Sequence, residues 1–596
     1  MTETLYRRHS VTRQDLPGGA ILLTSNVPLG PVPDRATDWL HHWAEKTPGA
    51  VFLAERSGSG WREVTYAEAL DQVRAIAASL LDRGMTAATP VLIISGNGVD
   101  HALLTLGAQY VGVPVVPVAE QYALIPDARK QLDYVAGLVR PGMVFAADGG
   151  PYGAALDLPC FDGLTKVASV NVSEGVTPFS ALLAGQGDVS AANAAVGPDT
   201  VAKILMTSGS TSAPKGVLTT HRMMCTNQAQ LAATLPFVAE RPPRIVDWLP
   251  WNHVFGGSHN VNMMLANGGA LYIDDGKPSP QLAPRTIENQ RLMTGTIAFN
   301  VPVGFAQIRD AMREDADLRR RYFENLDMLF YAGASLPQDV WADLEDMARE
   351  VRGEMPLFTS SWGLTETAPA AIIQHEPTTR SGIVGVPVPG LEVKLIPDDE
   401  NRFEVRLRGP TITPGYFEDP DKTDAAFDEE GFFITGDAMA YVEPGNDAMG
   451  LRFDGRMAEE FKLLSGTWVR AATLRLDLLI ALRGLAMDVI LTGADRNEVG
   501  VMIVPAPSLR EAASEDEGVL IVDGTEILSR LKTQNEGKGS SARVTRALVL
   551  AEPPSIAEGE ITAKGNINFR KILSRRAAIV DRLYDDTDGG TLLVGC

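Results

Sequence analysis

Residues 207–216 read Thr-Ser-Gly-Ser-Thr-Ser-Ala-Pro-Lys-Gly and lie between the apolar runs Ile204-Leu-Met206 and Val217-Leu218. The hydroxyls of Thr207, Ser208, Ser210, Thr211 and Ser212, the glycines Gly209 and Gly216 and the ammonium of Lys215 suit a phosphate chain. Glycine lets the backbone approach, exposed N–H groups form an anion nest, and the lysine neutralises charge. A Walker loop is excluded. That motif needs Gly-x4-Gly-Lys-Ser/Thr opening onto a helix whose N-terminus faces the phosphates. Here the second glycine follows the lysine, and no Ser or Thr adjoins Lys215 to hold Mg²⁺. The β-branched Val217-Leu-Thr-Thr220 predicts a strand, so the stretch reads as a hairpin loop. Taken alone, it reads equally well as a solvated surface turn.

Three further stretches supply what a nucleotide site requires. Thr359-Ser-Ser-Trp-Gly-Leu-Thr-Glu-Thr367 offers an aromatic face, a glycine turn and an acid beside a hydroxyl. Gly431-Phe-Phe-Ile-Thr-Gly-Asp437 ends an apolar strand on a carboxylate, and Arg456 follows nineteen residues later. Singly these have plain structural explanations: Asp437 a strand-end turn acid, Arg456 a surface ion pair, Trp362 a core residue. In this order, and with a small unit after them, they resemble the adenylate-forming superfamily of acyl-CoA synthetases and adenylation domains. WLPWNHVFGG, ALYIDDGKP, FYAGASLP and EEFKLLSGTW are most similar to feruloyl-CoA synthases within it.

The resemblance implies ATP- and Mg²⁺-dependent ligation of a carboxylic acid to coenzyme A through an acyl adenylate, the acid being a ferulate-like hydroxycinnamate. It assigns Thr207, Ser208, Gly209, Ser210, Thr211 and Lys215 to the β- and γ-phosphates. Glu366 is assigned to Mg²⁺, Thr365 to the α-phosphate, Trp362 to stacking on adenine, and Asp437 with Arg456 to the ribose hydroxyls. The adenylation lysine is assigned to Lys564 in Glu560-Ile-Thr-Ala-Lys-Gly-Asn566, where the glycine follows the lysine instead of preceding it; Lys571 is the fallback. The hinge of the small domain falls on Ala458, and Lys462 matches a lysine that reaches the site in the second conformation. The acyl pocket begins at Pro250-Trp-Asn-His-Val-Phe-Gly-Gly-Ser-His259. His253 is expected at its mouth and counts with Lys564 and Glu366 among the catalytic residues. Phe255 and His259 line its depth, with Asn300, Gly333 and Gly385 completing the wall. Glycine at 333 leaves room for a flat ring, and His259 suits a ring hydroxyl or methoxy group. Both histidines fit structural roles equally well.

Three alternatives stand beside this reading: a CoA ligase for another aryl or medium-chain acid, an enzyme loading a carrier protein in trans, and a nucleotide-binding module without catalysis. No Leu-Gly-Gly-x-Ser carrier site occurs in the chain.

The elements that must position these residues follow from periodicity. Thr65 and Glu68 form a capping box, Leu70, Val73, Ala77, Leu80 and Leu81 recur at helical spacing, and Gly84 ends the helix. Strands at 90–95 and 113–116 flank a second helix at 101–111. Fully apolar strands alternating with helices imply parallel sheets covered on both faces, an α/β fold. The pattern recurs over 200–340 and turns antiparallel near 385–409, predicting a small β-rich subdomain. Helices near 472–483 and 525–533 among strands near 488–492, 499–504 and 546–550 predict a small α+β unit. The expected division is a large domain at 1–456 and a small mobile domain at 457–596.

Composition narrows the function classes. A net charge of −22 disfavours nucleic acid. Three cysteines without metal or redox spacing exclude a disulfide framework. The N-terminal stretch has no apolar run behind its arginines, and the most apolar segment, 471–492, is broken by Arg475, Asp477, Arg483 and Asp488, so no membrane span is expected. A cytoplasmic enzyme is the expectation, with a homodimer left open.

Overall fold

Thr65 caps the Tyr66–Asp82 helix in the predicted manner: its hydroxyl accepts the Glu68 N–H at 3.3 Å, and Glu68 accepts the Thr65 N–H at 2.9 Å. Leu70, Val73, Ala77 and Leu80 are buried, whereas Leu81 turns to solvent. A computed structural model describes residues 5–208, 214–333, 336–399, 401–511, 513–555, 558–561 and 567–595, without the side chains of Ser208 and Ala458.

Two large sheets carry the first 456 residues. In the seven-stranded sheet the strands Val115–Pro117, Val91–Ile93, Met143–Asp148, Thr165–Val170 and Thr177–Pro178 run parallel, and the hairpin Val201–Ser208/Pro214–Thr220 closes one edge. The eleven-stranded sheet starts with parallel strands Ile297–Asn300, Met328–Tyr331 and Leu357–Gly363. It continues antiparallel through Ala370–Gln374, Ile383–Pro387, Leu451–Arg456, Phe433–Tyr441, Arg402–Arg408 and Glu392–Asp399. The expected change from parallel to antiparallel pairing is present and occurs within one continuous sheet. Backbone ladders can continue across such a change because hydrogen bonding needs only an adjacent edge. A separate sheet built on Ala486–Thr492, Val499–Pro505 and Val544–Leu550, covered by the helices Ala471–Ala481 and Thr525–Asn535, encloses its own core. Among the described residues no helix is long and apolar enough to cross a membrane.

One irregular element matters for the site. Phe255–Asn260 forms a single π-helical turn leading into the Val261–Ala266 helix. The wider turn is possible because two glycines let the backbone of 249–251 press against it. A Cβ on Gly256 would lie 2.4 Å from the Leu249 carbonyl oxygen, and one on Gly257 would lie 2.1 Å from that of Trp251. Such turns occur preferentially at functional sites because they re-aim side chains out of helical register. Gly257→Ala is expected to cost ~1–3 kcal/mol through forced backbone displacement, read as a lower denaturation midpoint in urea; an unchanged midpoint would contradict this packing.

Candidate functional site

The 201–208/214–220 hairpin pairs Thr207 with Lys215 and Ser208 with Pro214, so the lysine stands at the base of the loop with its side chain on the same face as that of Thr207. The Thr207 hydroxyl is buried without a hydrogen-bond partner. Gly209, Ser210 and Thr211 lie outside the described residues. Lys215 reaches the Glu366 carboxylate at 3.1 Å and donates to the Tyr416 hydroxyl at 2.6 Å, and Tyr416 in turn donates to Glu366 at 3.1 Å. Glu366 and Thr365 sit on the short turn Thr365–Thr367, just past the carboxyl end of the Leu357–Gly363 strand. Burial, then the neighbouring Glu366 charge, raises the Tyr416 phenol well above its ordinary range, so it remains a donor. Tyr416 was not among the sequence candidates. Its signal was the turn Thr413-Pro-Gly-Tyr416, whose Gly415 carbonyl accepts the Leu218 N–H and fixes it against the hairpin.

Asp437 and Arg456 are directly opposite in an antiparallel pair, with Arg456 Nε 3.5 Å from the carboxylate. Trp362 is also buried here, and its indole N–H donates to Asp437 Oδ2 at 3.0 Å. The three residues therefore form one unit: a carboxylate held by an indole on one oxygen and a half-exposed guanidinium beside the other.

Around the π-turn lies an aromatic cluster. Phe255 and His259 pack against each other at 5.4 Å between centroids, and His259 lies 5.5 Å from Phe299 and 5.2 Å from Phe330. Phe299 and Phe330 are paired across adjacent parallel strands, near their carboxyl ends, where open α/β sheets receive ligands. Both were absent from the sequence candidates, although strand alternation marks Phe299 once Asn300 is placed on a strand. That alternation also separates Asn300 from the cluster: it faces the other side and accepts the Trp248 indole N–H at 3.1 Å. Gly333, at φ +88°, is exposed beyond the Met328–Tyr331 strand, with Val301 Cγ1 3.8 Å from a virtual Cβ. Gly385 is a strand glycine at φ +97° whose Cβ would meet the Ile373 carbonyl oxygen at 2.0 Å. The close passage of two strands is its evident requirement. His253 is held by its backbone at the start of the turn, its carbonyl accepting the Gly257 N–H at 2.8 Å.

Beneath the turn, Lys203 is fully buried and donates to the Gly257 carbonyl and, at 3.5 Å, to the Ser258 hydroxyl. Burial lowers its pKa to about 8.

The small domain contributes less within the described residues. Lys564 lies outside them, but the chain on both sides is anchored. Ile561 bridges to Ile567, and the buried Glu560 binds Arg575 at 2.8 Å and Arg576 at 2.7 Å. Lys571 lies in the Phe569–Arg575 helix. Lys462 is exposed, 4.8 Å from the Trp468 ring, and the backbone of Ala458 belongs to the turn Met457–Glu459.

The site therefore consists of a hairpin cation on a strand-end carboxylate, a second buried carboxylate with an aromatic partner, and a buried aromatic cluster. Residues 40–417 match the AMP-binding enzyme family, and residues 470–588 match the AMP-binding enzyme C-terminal domain. The chain belongs to the AMP-binding enzyme family. It is an acyl-adenylate-forming acid–CoA ligase using ATP, Mg²⁺ and CoA. It is similar to the 3-[(3aS,4S,7aS)-7a-methyl-1,5-dioxo-octahydro-1H-inden-4-yl]propanoyl:CoA ligase of Mycobacterium tuberculosis, 29% identical over 484 residues, 79% of this chain and 89% of the relative. Its fold is similar to the adenylation domain of a carboxylate reductase from Mycobacterium chelonae, at TM-score 0.71 and 18% identity, covering 93% of this chain and 91% of that one. The AMP complex of o-succinylbenzoate coenzyme A synthetase from Bacillus subtilis matches at TM-score 0.68 and 17% identity, covering 91% and 98%.

Glu366 fits the Mg²⁺ such an enzyme requires. Magnesium at nucleotide sites takes one or two carboxylates and fills its remaining positions with phosphate oxygens and water. Among the described residues no group of three acidic, histidine or cysteine side chains could hold a metal without them.

Burial raises the Asp437 carboxyl from an ordinary 3.8 to about 6, against the opposing pull of Arg456 and the Trp362 N–H. Below the unfolded value both states are protonated and nothing is lost. Above about 6 the folded chain must hold a desolvated charge, costing ~3 kcal/mol. Asp437→Asn keeps an acceptor for the indole. It should therefore raise stability by ~2–3 kcal/mol at pH 8 and by little at pH 4, as measured by urea unfolding at both values; equal effects at the two pH values would refute the assignment.

Proposed function

We propose that the acid is a flat aromatic one of the hydroxycinnamate class, ferulate-like, which the enzyme converts to its CoA thioester. The observation carrying this reading is the aromatic cluster of Phe255, Phe299 and Phe330 with a single polar ring, His259, among them, at the carboxyl ends of two parallel strands. Flat rings stack at low conformational cost against aromatic side chains.

In the first half-reaction a substrate carboxylate oxygen attacks the α-phosphorus of ATP, the bond to the β-phosphate oxygen breaks, and pyrophosphate leaves. Two anions meet, so fixed cations and donors must lower the barrier. Residues 207–215 hold the pyrophosphate end, Thr365 contacts the α-phosphate, and Lys564 bridges the carboxylate and the α-phosphate. Glu366 holds Mg²⁺, which supplies charge neutralisation at the phosphates. Trp362 stacks on adenine, and Asp437, steadied by Arg456, accepts from the ribose hydroxyls. In the second half-reaction the CoA thiolate attacks the acyl carbon and AMP leaves, with His253 near the thiol's path. Between them the domain at 457–596 turns about Ala458 and brings Lys462 toward the site. Exposed ion pairs, Lys130–Glu558 at 3.3 Å and Arg483–Asp339 at 3.7 Å among them, join the two domains at ~0–1 kcal/mol each. The buried pair Arg402–Glu460 also crosses the boundary, and separating it costs more because a desolvated charge is left alone.

A second reading rests on the Mycobacterium tuberculosis relative, whose name describes a fused-ring propanoic acid carrying ketones. An alicyclic keto acid would occupy the same pocket. Competition between hydroxycinnamates, benzoates, alicyclic propanoates and medium-chain acids for CoA thioester formation, read by product mass, decides between them. Hydroxycinnamate should give the highest kcat/KM; turnover confined to alicyclic or alkyl acids would reject the aromatic assignment. Lys564→Ala should reduce acid-dependent pyrophosphate release by ~10²-fold or more and leave thioester formation from supplied acyl adenylate largely intact. Loss in Lys571→Ala instead would transfer the role to that residue.

A further inference from the structure

Asp247, Asn260 and His259 form a buried chain of hydrogen bonds ending in the aromatic cluster. Asp247 is 2% exposed, and Asn260 and His259 are wholly buried. Asn260 Nδ2 donates to Asp247 Oδ2 at 2.9 Å, and His259 Nδ1 lies 2.9 Å from Asn260 Oδ1. We propose that Asp247 and Asn260 are positioning residues that lock His259 in its Nδ1-protonated tautomer, so that the acid pocket presents a hydrogen-bond acceptor and selects acids bearing a donor at the far end of the ring.

The proton assignment follows from what each group can give. An ionised carboxylate only accepts, and Asp247 also accepts the Leu249 N–H at 3.2 Å. Asn260 must therefore turn its amide N–H₂ toward Asp247, leaving only its oxygen for the histidine. An oxygen facing Nδ1 requires the proton to be on Nδ1. The ring is neutral, because burial lowers its pKa to about 4. Its second nitrogen is then a bare lone pair, and Nε2 is buried without a hydrogen-bond partner among the phenylalanine rings. A buried acceptor left unmatched is costly, and it discriminates strongly between ligands that complete it and ligands that do not. A phenolic hydroxyl or an arylamine completes it. An ether or ketone oxygen sets a second lone pair against it.

The inference rests on the reading that the 255–259 turn lines the acid pocket, and its test keeps the two apart. kcat/KM is measured at pH 8, above the value of about 7 to which burial pushes Asp247, for 4-hydroxycinnamate, 4-methoxycinnamate and cinnamate with saturating ATP and CoA. The unsubstituted protein should prefer the hydroxyl over the methoxy acid by ~10-fold or more, and His259→Phe should abolish that preference. Asp247→Asn presents an amide N–H₂ to Asn260. That reverses the Asn260 amide and moves the histidine proton to Nε2. The ring then donates, and the hydroxyl-to-methoxy ratio should fall at least fivefold. A merely structural role would lower both acids together and leave the ratio unmoved, which overturns the relay alone. Failure to turn over any aromatic acid overturns the pocket assignment and the relay with it. Should Asp247→Asn not fold, ¹⁵N NMR of histidine-labelled protein, with His259→Phe assigning the resonance, decides: Nδ1 protonated supports the relay, and Nε2 protonated overturns it.

Discussion

The contact on which the rest of the nucleotide side depends is the carboxylate of Glu366 between Lys215 and Tyr416. It fastens three stretches remote in sequence: the hairpin, the turn after the Leu357–Gly363 strand, and the 413–416 segment. The chain carries a net charge of −22 and must bring a carboxylate onto an anionic phosphate, so a cation has to be fixed locally against the average field of the protein. A partly buried ammonium with a carboxylate and a phenol as partners meets that demand. A free surface lysine would be screened and mobile.

Asp437 answers a related problem differently. It is almost fully buried in the middle of the Phe433–Tyr441 strand, and its charge is tolerated through one indole N–H and one guanidinium. The indole links the adenine and ribose assignments through one bond, so moving either side chain disturbs the other. Burial keeps this carboxyl poorly solvated and raises its pKa. Stability sacrificed at a preorganised polar site is a common accompaniment of function.

The acid side depends on shape and on neutral hydrogen bonding. Two glycines admit a π-turn, Lys203 supports its carbonyl from below, and the turn aims Phe255 and His259 at the ends of two parallel strands. In the proposed acid pocket, a fixed neutral histidine among phenylalanines would favour a polar group on an otherwise flat acid without introducing a second charge beside the reacting carboxylate.

The sequence by itself determined what depends on neighbours a few residues away. The capping box of the Tyr66–Asp82 helix, the hairpin character of 201–220 and an α+β unit with its own core follow from short-range spacing and turn chemistry, whereas the strand expected to end at Asp437 runs on to Tyr441. Tertiary structure decided whatever depends on residues fifty or more positions apart. It alone set Tyr416 on Lys215, the Trp362 indole on Asp437, Phe330 beside His259, and Asn300 away from that cluster. It also turned Gly385 from a candidate pocket wall into a point where strands nearly touch. The physical reason is that periodicity tells which face of an element is apolar, whereas a site is an agreement among faces of different elements, fixed only when the sheets are ordered and in register.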